Sequence, residues 1–381
     1  MTLRPLAEAL GVSVTVLTTH YGARTDVIGA ICDAACEYDV AMLAQWRGML
    51  ATLGTLSPSL AADLAEAILE DFATRHNAVS LLYLELLHAC TWDDSLQPVF
   101  ATWAAERRRF WHQFAERAAL APALLECAWW HGYTVAELAY SVALNAVSPY
   151  RMLRRLCLRR LFAGGIASLQ NSERPEDAVM FGVLLAQMQH AGGDPLSDAA
   201  GSSEWYPLAA RICGIRLAAQ GVTGLTHRAI AAEMGIPHTT LSYRFPTQHH
   251  LVVAGLESII AHILSAVDSG SLEELQRLRT EGDGQKLDLA RANFAVAIAA
   301  ARMPELASYT ANMRSRRGNN LVKVFQKYMP DARGIDGLCA QVISMGLTGL
   351  TNTEPPGEAS EKSVASAFAA AARWLKQNYS A

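Results

Sequence analysis

The fold is decided by a stretch that occurs twice in the chain: residues 226–255 read THRAIAAEMGIPHTTLSYRFPTQHHLVVAG, and residues 2–31 read TLRPLAEALGVSVTVLTTHYGARTDVIGAI. The two copies lie 224 residues apart, and their apolar and glycine positions coincide. The matched pairs include Leu6 with Ile230, Gly11 with Gly235, and Leu17 with Leu241. An internal repeat of this kind predicts two copies of one structural unit.

The second copy has the spacing of a helix-turn-helix. Thr226 is a residue type that caps the N-terminus of a helix, and a short helix is predicted after it. Gly235 can adopt the positive φ that a tight turn requires. Pro237 suits the start of the next helix, predicted over His238–Arg244, and Leu241 faces the core from that helix.

An amphipathic helix predicted over Trp205–Gln220 completes a three-helix head before the second copy. The first copy begins at Thr2, so we expect its head to lack this helix. The repeat, together with the composition of the residues between its two copies, predicts that the chain is divided into five segments. They are a truncated head at 1–31, a first helical regulatory domain at 32–191, a linker at 192–203, a second head at 204–255 and a second regulatory domain at 256–381.

The order of features from Trp205 to Glu257 resembles the DNA-binding head of the tetracycline-repressor (TetR) family: helix, glycine-rich break, T-x-R-x-I-A-x-x-x-G-[IV], short helix, F-P and long helix. The first copy resembles the same head without its first helix. The resemblance implies an all-α fold with two TetR-like units in tandem, each with a ligand-binding and dimerisation domain. The chain departs from the family at two positions. The family usually has tyrosine after the leucine of the second, or recognition, helix of the helix-turn-helix, whereas this chain has Thr18 in the first copy and Ser242 in the second. The family usually has lysine at the start of the fourth helix, whereas this chain has Arg24 and Gln248.

The exposed sides of the two recognition helices supply the candidate DNA-binding residues. Side-chain donors and methyl groups read base edges, whereas cations contact phosphates. The candidates of the second head are His238, Thr239, Thr240, Tyr243 and Arg244, with Thr226, Arg228 and Gln248 on the DNA backbone. Those of the first head are Thr15, Thr19, His20 and Arg24, beside Val14 and Val16. The alternative for each polar residue is a solvated helix face.

Aromatic and histidine residues are concentrated in the first regulatory domain. The resemblance implies a pocket for a small hydrophobic or aromatic effector. The candidate lining residues are Tyr83, His88, Trp103, Trp111, Trp129 and Trp130, with Asn293, Tyr309 and Asn312 from the second regulatory domain. Large side chains at helical spacing also form cores, so packing is the alternative interpretation.

The charge balance, the cysteines and the lack of known catalytic motifs favour some classes of function over others. Residues 1–201 carry 14 arginines, no lysine and 21 acids, whereas residues 202–381 carry 18 basic residues and 15 acids, so the second part suits a polyanion better. The seven cysteines form no CxxC pair and suggest reduced thiols, although Cys32 and Cys36 leave a soft-metal or redox site open. We expect no membrane span, no signal peptide, no cofactor and no resident metal, and the cytoplasm is the expected location. Catalytic motifs are not found, which argues against an enzyme.

The sequence therefore predicts a ligand-responsive repressor that binds double-stranded operator DNA and is released by its effector. The alternative is a helical small-molecule or protein-binding module with degenerate DNA-binding heads. In the TetR family the last two helices of each subunit usually pair with a partner, and the resemblance implies this role for four segments here: 134–163 with 174–190, and 335–352 with 358–378. Pairing within one chain would form a pseudo-dimer, and pairing between chains, which stays open, would form a homodimer.

Overall fold

The computed structural model describes residues 3–163, 175–190, 205–269, 288–328, 336–355 and 357–379. Throughout these ranges the secondary structure is helical, without a strand, which confirms the all-α class. None of the described helices combines the length and the apolar character that a bilayer crossing requires. The linker predicted at 192–203 lies outside the described ranges.

Nine α-helices are described before residue 164 and ten after residue 174, with short 3-10 turns between some of them. The first set is α1 Leu3–Ala9, α2 Val14–Tyr21, α3 Arg24–Ala51, α4 Pro58–Ala73, α5 Asn77–Ala89, α6 Gln97–Arg117, α7 Pro122–Glu126, α8 Trp129–Leu144 and α9 Ser148–Phe162. The second set is α10 Pro175–His190, α11 Tyr206–Gln220, α12 His227–Met234, α13 His238–Arg244, α14 Gln248–Ser269, α15 Leu289–Arg302, α16 Ala307–Ser315, α17 Asn319–Tyr328, α18 Gly337–Asn352 and α19 Glu358–Tyr379.

The helix-turn-helix predicted from the repeat is confirmed in both copies. Thr226 caps α12, since its hydroxyl oxygen accepts a hydrogen bond from the Ala229 amide at 3.2 Å. Gly235 then turns the chain at φ +67°, and Gly11 does so at φ +66° in the first copy. Because an L side chain rarely adopts this conformation, glycine at both turns fixes the same geometry twice.

The sequence pattern indicates a helix near 134–163 with Pro149 at a helix start or a kink, and the structure divides this segment into two helices. The structure ends α8 at Leu144 and begins α9 at Ser148, with Pro149 in the first turn of α9. A proline at that place has no N–H for a helix continuing from α8, and its ring clashes with the preceding turn. The chain therefore changes direction between two helices that the sequence pattern joined.

The regulatory segments share one apolar core. Its buried members come from both parts of the chain and include Trp130, Leu158, Phe294 and Ile343. A smaller core fills the second head, where Leu217, Ile230 and Leu241 pack together, and it continues into α15. Helix α15 contributes to both cores and thereby connects the second head to the shared body.

Helices α8 and α18 cross with their backbones in contact. A Cβ atom at Gly349 would overlap the carbonyl oxygen of Gly132, and one at Gly132 would overlap the backbone of α18. The indole of Trp129 occupies the space beside Gly346 that a side chain there would fill. Three glycines are therefore required for this approach, because any larger residue would separate the helices.

A buried ion pair lies close to the crossing. Arg314 of α16 stands 3.3 Å from Glu137 of α8, and both side chains are fully buried. The Tyr150 hydroxyl donates to the same carboxylate at 2.8 Å, and Arg314 also donates to the side-chain oxygen of Gln341. At the surface, Arg160 pairs with Asp336 at 2.7 Å. Charged groups far apart in sequence thus fix the register of the two parts.

Gly349→Ala is expected to lower the free energy of unfolding by about 1–3 kcal/mol, because the new methyl group must push α8 away from α18. The matched control is Gly48→Ala, since Gly48 lies inside α3 with open space around its Cβ position. The control should be neutral or stabilising by up to about 1 kcal/mol, as alanine favours the helix. Urea unfolding measures both changes, and equal effects would contradict the close crossing.

Candidate nucleic-acid interface

Helix α13 is held in the second head by its inner face. Leu241 is fully buried and Phe245, directly after the helix, is 4% exposed. The Phe245 ring stacks on Tyr206 with 5.8 Å between centroids and meets Trp205 edge-on at 6.1 Å. The residues around the start of α11 therefore clamp the end of α13, which turns its other face outward.

The outward face of α13 carries the predicted DNA-binding residues of the recognition helix. The structure leaves all five of them exposed: His238, Thr239, Thr240, Tyr243 and Arg244. Tyr243 is 82% exposed, although tyrosine ordinarily loses much of its surface in a folded protein. The Arg244 guanidinium lies 5.8 Å from the Trp205 ring centroid, which orients the cation over an aromatic face.

The three residues predicted to contact the DNA backbone from the second head differ in the contacts that their side chains make inside the head. Arg228 and Thr226 are exposed at the start of α12, next to the outward face. Gln248 is also exposed, but its side-chain amide donates to the backbone oxygens of Val222 at 2.9 Å and Leu225 at 3.0 Å. Gln248 therefore ties the start of α14 to the turn before α12. The repeat alignment gave no signal for this bond, because the first copy has Arg24 there.

The second head has a positive balance of charge. Its described residues 205–255 contain four arginines and a single acid, Glu233. Glu233 is paired with Arg216 at 2.7 Å, away from α13. The described first head, residues 3–31, contains two arginines and two acids. The second head is consequently the better match for a phosphate backbone.

The first head presents a less polar recognition helix. Thr15, Thr19 and His20 are exposed on α2, as predicted for a reading face. The same surface exposes Val14 by 38% and Val16 by 52%, where the second head has His238 and Thr240. Arg24, the remaining candidate, is partly exposed and stands 3.8 Å from Asp93. Valines offer methyl contacts but no hydrogen bonds to base edges.

Four of the predicted effector residues are packed against one another and their neighbours in the core: Tyr83, Trp103, Trp111 and Trp130. A buried pair that the sequence analysis missed organises this cluster. Asp39 accepts two bonds from Arg107, at 2.6 and 2.9 Å, and one from the Trp103 indole at 2.7 Å. The Arg107 guanidinium also lies 4.3 Å from the Tyr83 ring centroid. These side chains fill space in the core, and within the described residues the buried Tyr83 hydroxyl and Arg107 Nη1 have no hydrogen-bond partner.

Trp129 belongs to the same core and lies beside Gly346 at the crossing of α8 and α18, where its ring stacks on Tyr133 at 5.7 Å. Its indole nitrogen is buried and finds no hydrogen-bond partner among the described residues. Of the second-domain candidates, Asn293 is buried, Tyr309 is half-buried, and the Asn312 side chain accepts from Arg316 at 2.9 Å. The structure does not bring these candidates together around one space.

His88 lies at the junction between the shared core and the second head. Its ring contacts Trp92 at 4.7 Å and Phe294 at 5.9 Å between centroids, and it borders Gly221 in the turn before α12. Both ring nitrogens are buried and lack a hydrogen-bond partner in the described part of the chain. Burial, and then the charge of Arg291, lower the pKa of His88 to about 3.

The cysteines of the described ranges do not form a metal site. In the ranges that the structure covers, no three histidine, cysteine or acidic side chains are grouped to hold an ion. Burial, followed by the charge of Asp33, raises the pKa of Cys32 to about 11, so this thiol stays protonated at neutral pH. The structure also leaves Cys32 and Cys36 as free cysteines.

Comparison of the chain with protein-family models, curated proteins and solved structures finds no match. The resemblance to TetR heads therefore depends on the order of motifs in the sequence. The geometry of the heads adds the placement of each candidate side chain.

Acidification is expected to destabilise the protein through His88. The unfolded chain binds a proton near the ordinary pKa of 6.5, whereas the folded chain does so only near 3. Stability is therefore lost as the pH falls from about 6.5 towards about 3. His88→Leu should retain more of its stability at about pH 5, relative to about pH 7, than the parent protein does. Thermal unfolding at both pH values measures this.

The matched control for that experiment is His112→Leu, because the His112 side chain is 53% exposed. It should leave the pH dependence close to that of the parent. If His88→Leu and His112→Leu have the same pH dependence, the neutral buried state of His88 is wrong.

Proposed function

We propose that this chain is a ligand-responsive transcriptional regulator of the TetR type, a repressor that binds double-stranded operator DNA through its second head. The observation that carries the proposal is the outward face of α13, where polar, aromatic and cationic side chains are exposed together while Leu241 and Phe245 anchor the helix from behind.

The binding mode follows from the size of the groove and the chemistry of the face. The major groove of B-DNA admits an α-helix, and its floor displays hydrogen-bond groups and thymine methyls. Thr239 and Thr240 supply hydroxyls and methyls for this floor, and His238 supplies a ring donor. Arg228 and Arg244 neutralise phosphates at the two sides. Gln248 holds the head in shape rather than contacting DNA.

The two TetR-like units pair within the chain in this proposal and form a pseudo-dimer. Helices α8 and α9 of the first unit pack on α18 of the second, and α18 packs on α19. The glycine crossing, the pair of Arg160 with Asp336 and the pair of Arg302 with Glu85 all join the two parts. Two unlike heads on one body suit an operator with unlike half-sites.

A small hydrophobic or aromatic effector would act at the junction around His88. This ring stands between α5, α15 and the turn at 221–224, so a molecule seated there would displace the turn that supports α12. Release of DNA then requires that the effector bind the displaced head more tightly than the DNA-competent one.

The second candidate function is a helical small-molecule or protein-binding module with degenerate heads. The exposed Val14 and Val16 of the first head and its neutral charge favour this alternative for that head. The polar and basic face of α13 favours DNA for the second.

Arg244→Ala is expected to weaken DNA binding about tenfold and to reduce the slope of log affinity against log salt by about 1, because one phosphate contact is lost. The probe is a double-stranded fragment from the region upstream of the chain's own gene, and fluorescence anisotropy measures its binding. Arg75→Ala is the control, as Arg75 is 76% exposed on the regulatory part. Equal losses in both variants, or no binding by the parent at low salt, contradict the proposal.

The repeat supplies a matched pair for testing which head reads DNA. Thr239 and Thr15 occupy equivalent positions, and both are exposed. Thr239→Ala should cost about 1 kcal/mol of discrimination at one base pair of a site selected from random DNA. Thr15→Ala should cost less than half of that, since neighbouring valines make its surface a poor reader. A larger effect of Thr15→Ala would assign sequence reading to the first head.

A further inference from the structure

The first head has an apolar face that no described residue covers. Leu10 is 59% exposed, Val12 38% and Tyr21 47%. Their repeat equivalents in the second head are Met234, Ile236 and Phe245. The first two of these are half-buried against the head core, and Phe245 is 4% exposed. The two heads share their fold but differ in whether this face is protected from water.

Helix α11 makes that difference. In the second head it packs on α12, and Tyr206 at its start stacks on Phe245. Its buried side is built from small and aliphatic residues: Ala209, Ala210, Ile212, Cys213, Gly214, Leu217 and Ala218. The second head therefore shows which kind of element covers this face: a helix of about four turns with a smooth apolar side.

Helix α10 also has an apolar side that no described residue covers. Val179 is 67% exposed, Met180 39% and Val183 47%. Gly182 and Ala186 are exposed between and beyond them, so this side is smooth like that of α11. The opposite side of α10 is buried through Leu184 and Met188, against α9 and α16. The helix is thus fixed on the body and presents a second face to solvent.

We propose that these two faces cover each other in a dimer of this chain, with α10 of one copy seated on the first head of its partner where α11 sits on the second head. Both faces are exposed in the same structure, so α10 does not cover the head of its own copy. The apolar side of the partner's α11 is already buried in its own head, whereas the partner's α10 has an exposed apolar side. Two equivalent contacts close the dimer by two-fold symmetry.

Exposed charges of opposite sign stand on α10 and on the first head. Helix α10 has Glu176 and Asp177 in its first turn, and Glu176 is exposed. The first head exposes the cation Arg4 on α1, one turn before the exposed Glu8. Removal of the large apolar side chains of both faces from water supplies the main attraction, since contiguous exposed apolar patches are uncommon on monomers.

The test is the association state of the full chain at micromolar concentrations, measured by sedimentation equilibrium. The parent should be a dimer. Tyr21→Glu and Val183→Glu should each raise the dimer dissociation constant at least about tenfold, because a charge is forced into an apolar contact. Leu60→Glu should have no effect, as Leu60 is 39% exposed on α4, a helix that belongs to neither face. Leu10→Glu, on the same face as Tyr21, repeats the test if Tyr21→Glu fails to fold by circular dichroism.

Mixing the variants separates this arrangement from others. Tyr21→Glu leaves α10 unaltered, and Val183→Glu leaves the first head unaltered. An equimolar mixture should therefore form heterodimers through one contact, between α10 of the first variant and the first head of the second, and should associate more tightly than either variant alone. A monomeric parent overturns the proposal. A dimer whose dissociation constant is unchanged by Val183→Glu also overturns the proposal, because its two first heads would then contact each other. A dissociation constant unchanged by Tyr21→Glu does so as well, because the two copies would then pair through α10 alone.

Discussion

The contact between the backbones of α8 and α18 is the constraint on which the remaining structure depends. Gly132, Gly346 and Gly349 remove the side chains that would hold these helices apart. The approach brings α16 close enough for Arg314 to reach Glu137 in a fully buried pair. A buried pair of this kind is costly when misaligned, so the glycine contact and the ion pair together select one register. Residues from both regulatory segments consequently form a single core.

A single core has a consequence for the second head. Helix α15 gives Phe294 to the large core and Ala295 to the head core, so the packing of both cores depends on the position of this one helix. His88 stands where α5, α15 and the turn before α12 meet, and its buried ring nitrogens lack partners in the described ranges. This junction is where a small change in packing would alter the head, which is why the proposed effector response is placed there.

The two heads show how one local fold serves two surfaces. The glycine turns have nearly the same φ, and Leu17 and Leu241 are buried in the same place. The outward faces diverge, because Val14 and Val16 replace His238 and Thr240. The second head is covered by α11 and has a positive balance of charge, whereas the first head is neutral and has an apolar face that no described residue covers. One local fold therefore carries two different surfaces.

The sequence by itself determined the helix-turn-helix units and the all-α class. Caps, turn glycines and helical periodicity act over a few residues, so Thr226, Gly235 and the limits of α13 were predictable. Tertiary structure alone decided the glycine crossing, the Asp39–Arg107 pair and the bonds of Gln248, because their partners lie far apart along the chain. It also placed most of the predicted effector aromatics in the core. Composition cannot distinguish a ring that packs from a ring that binds, since burial depends on neighbours that only the folded chain supplies.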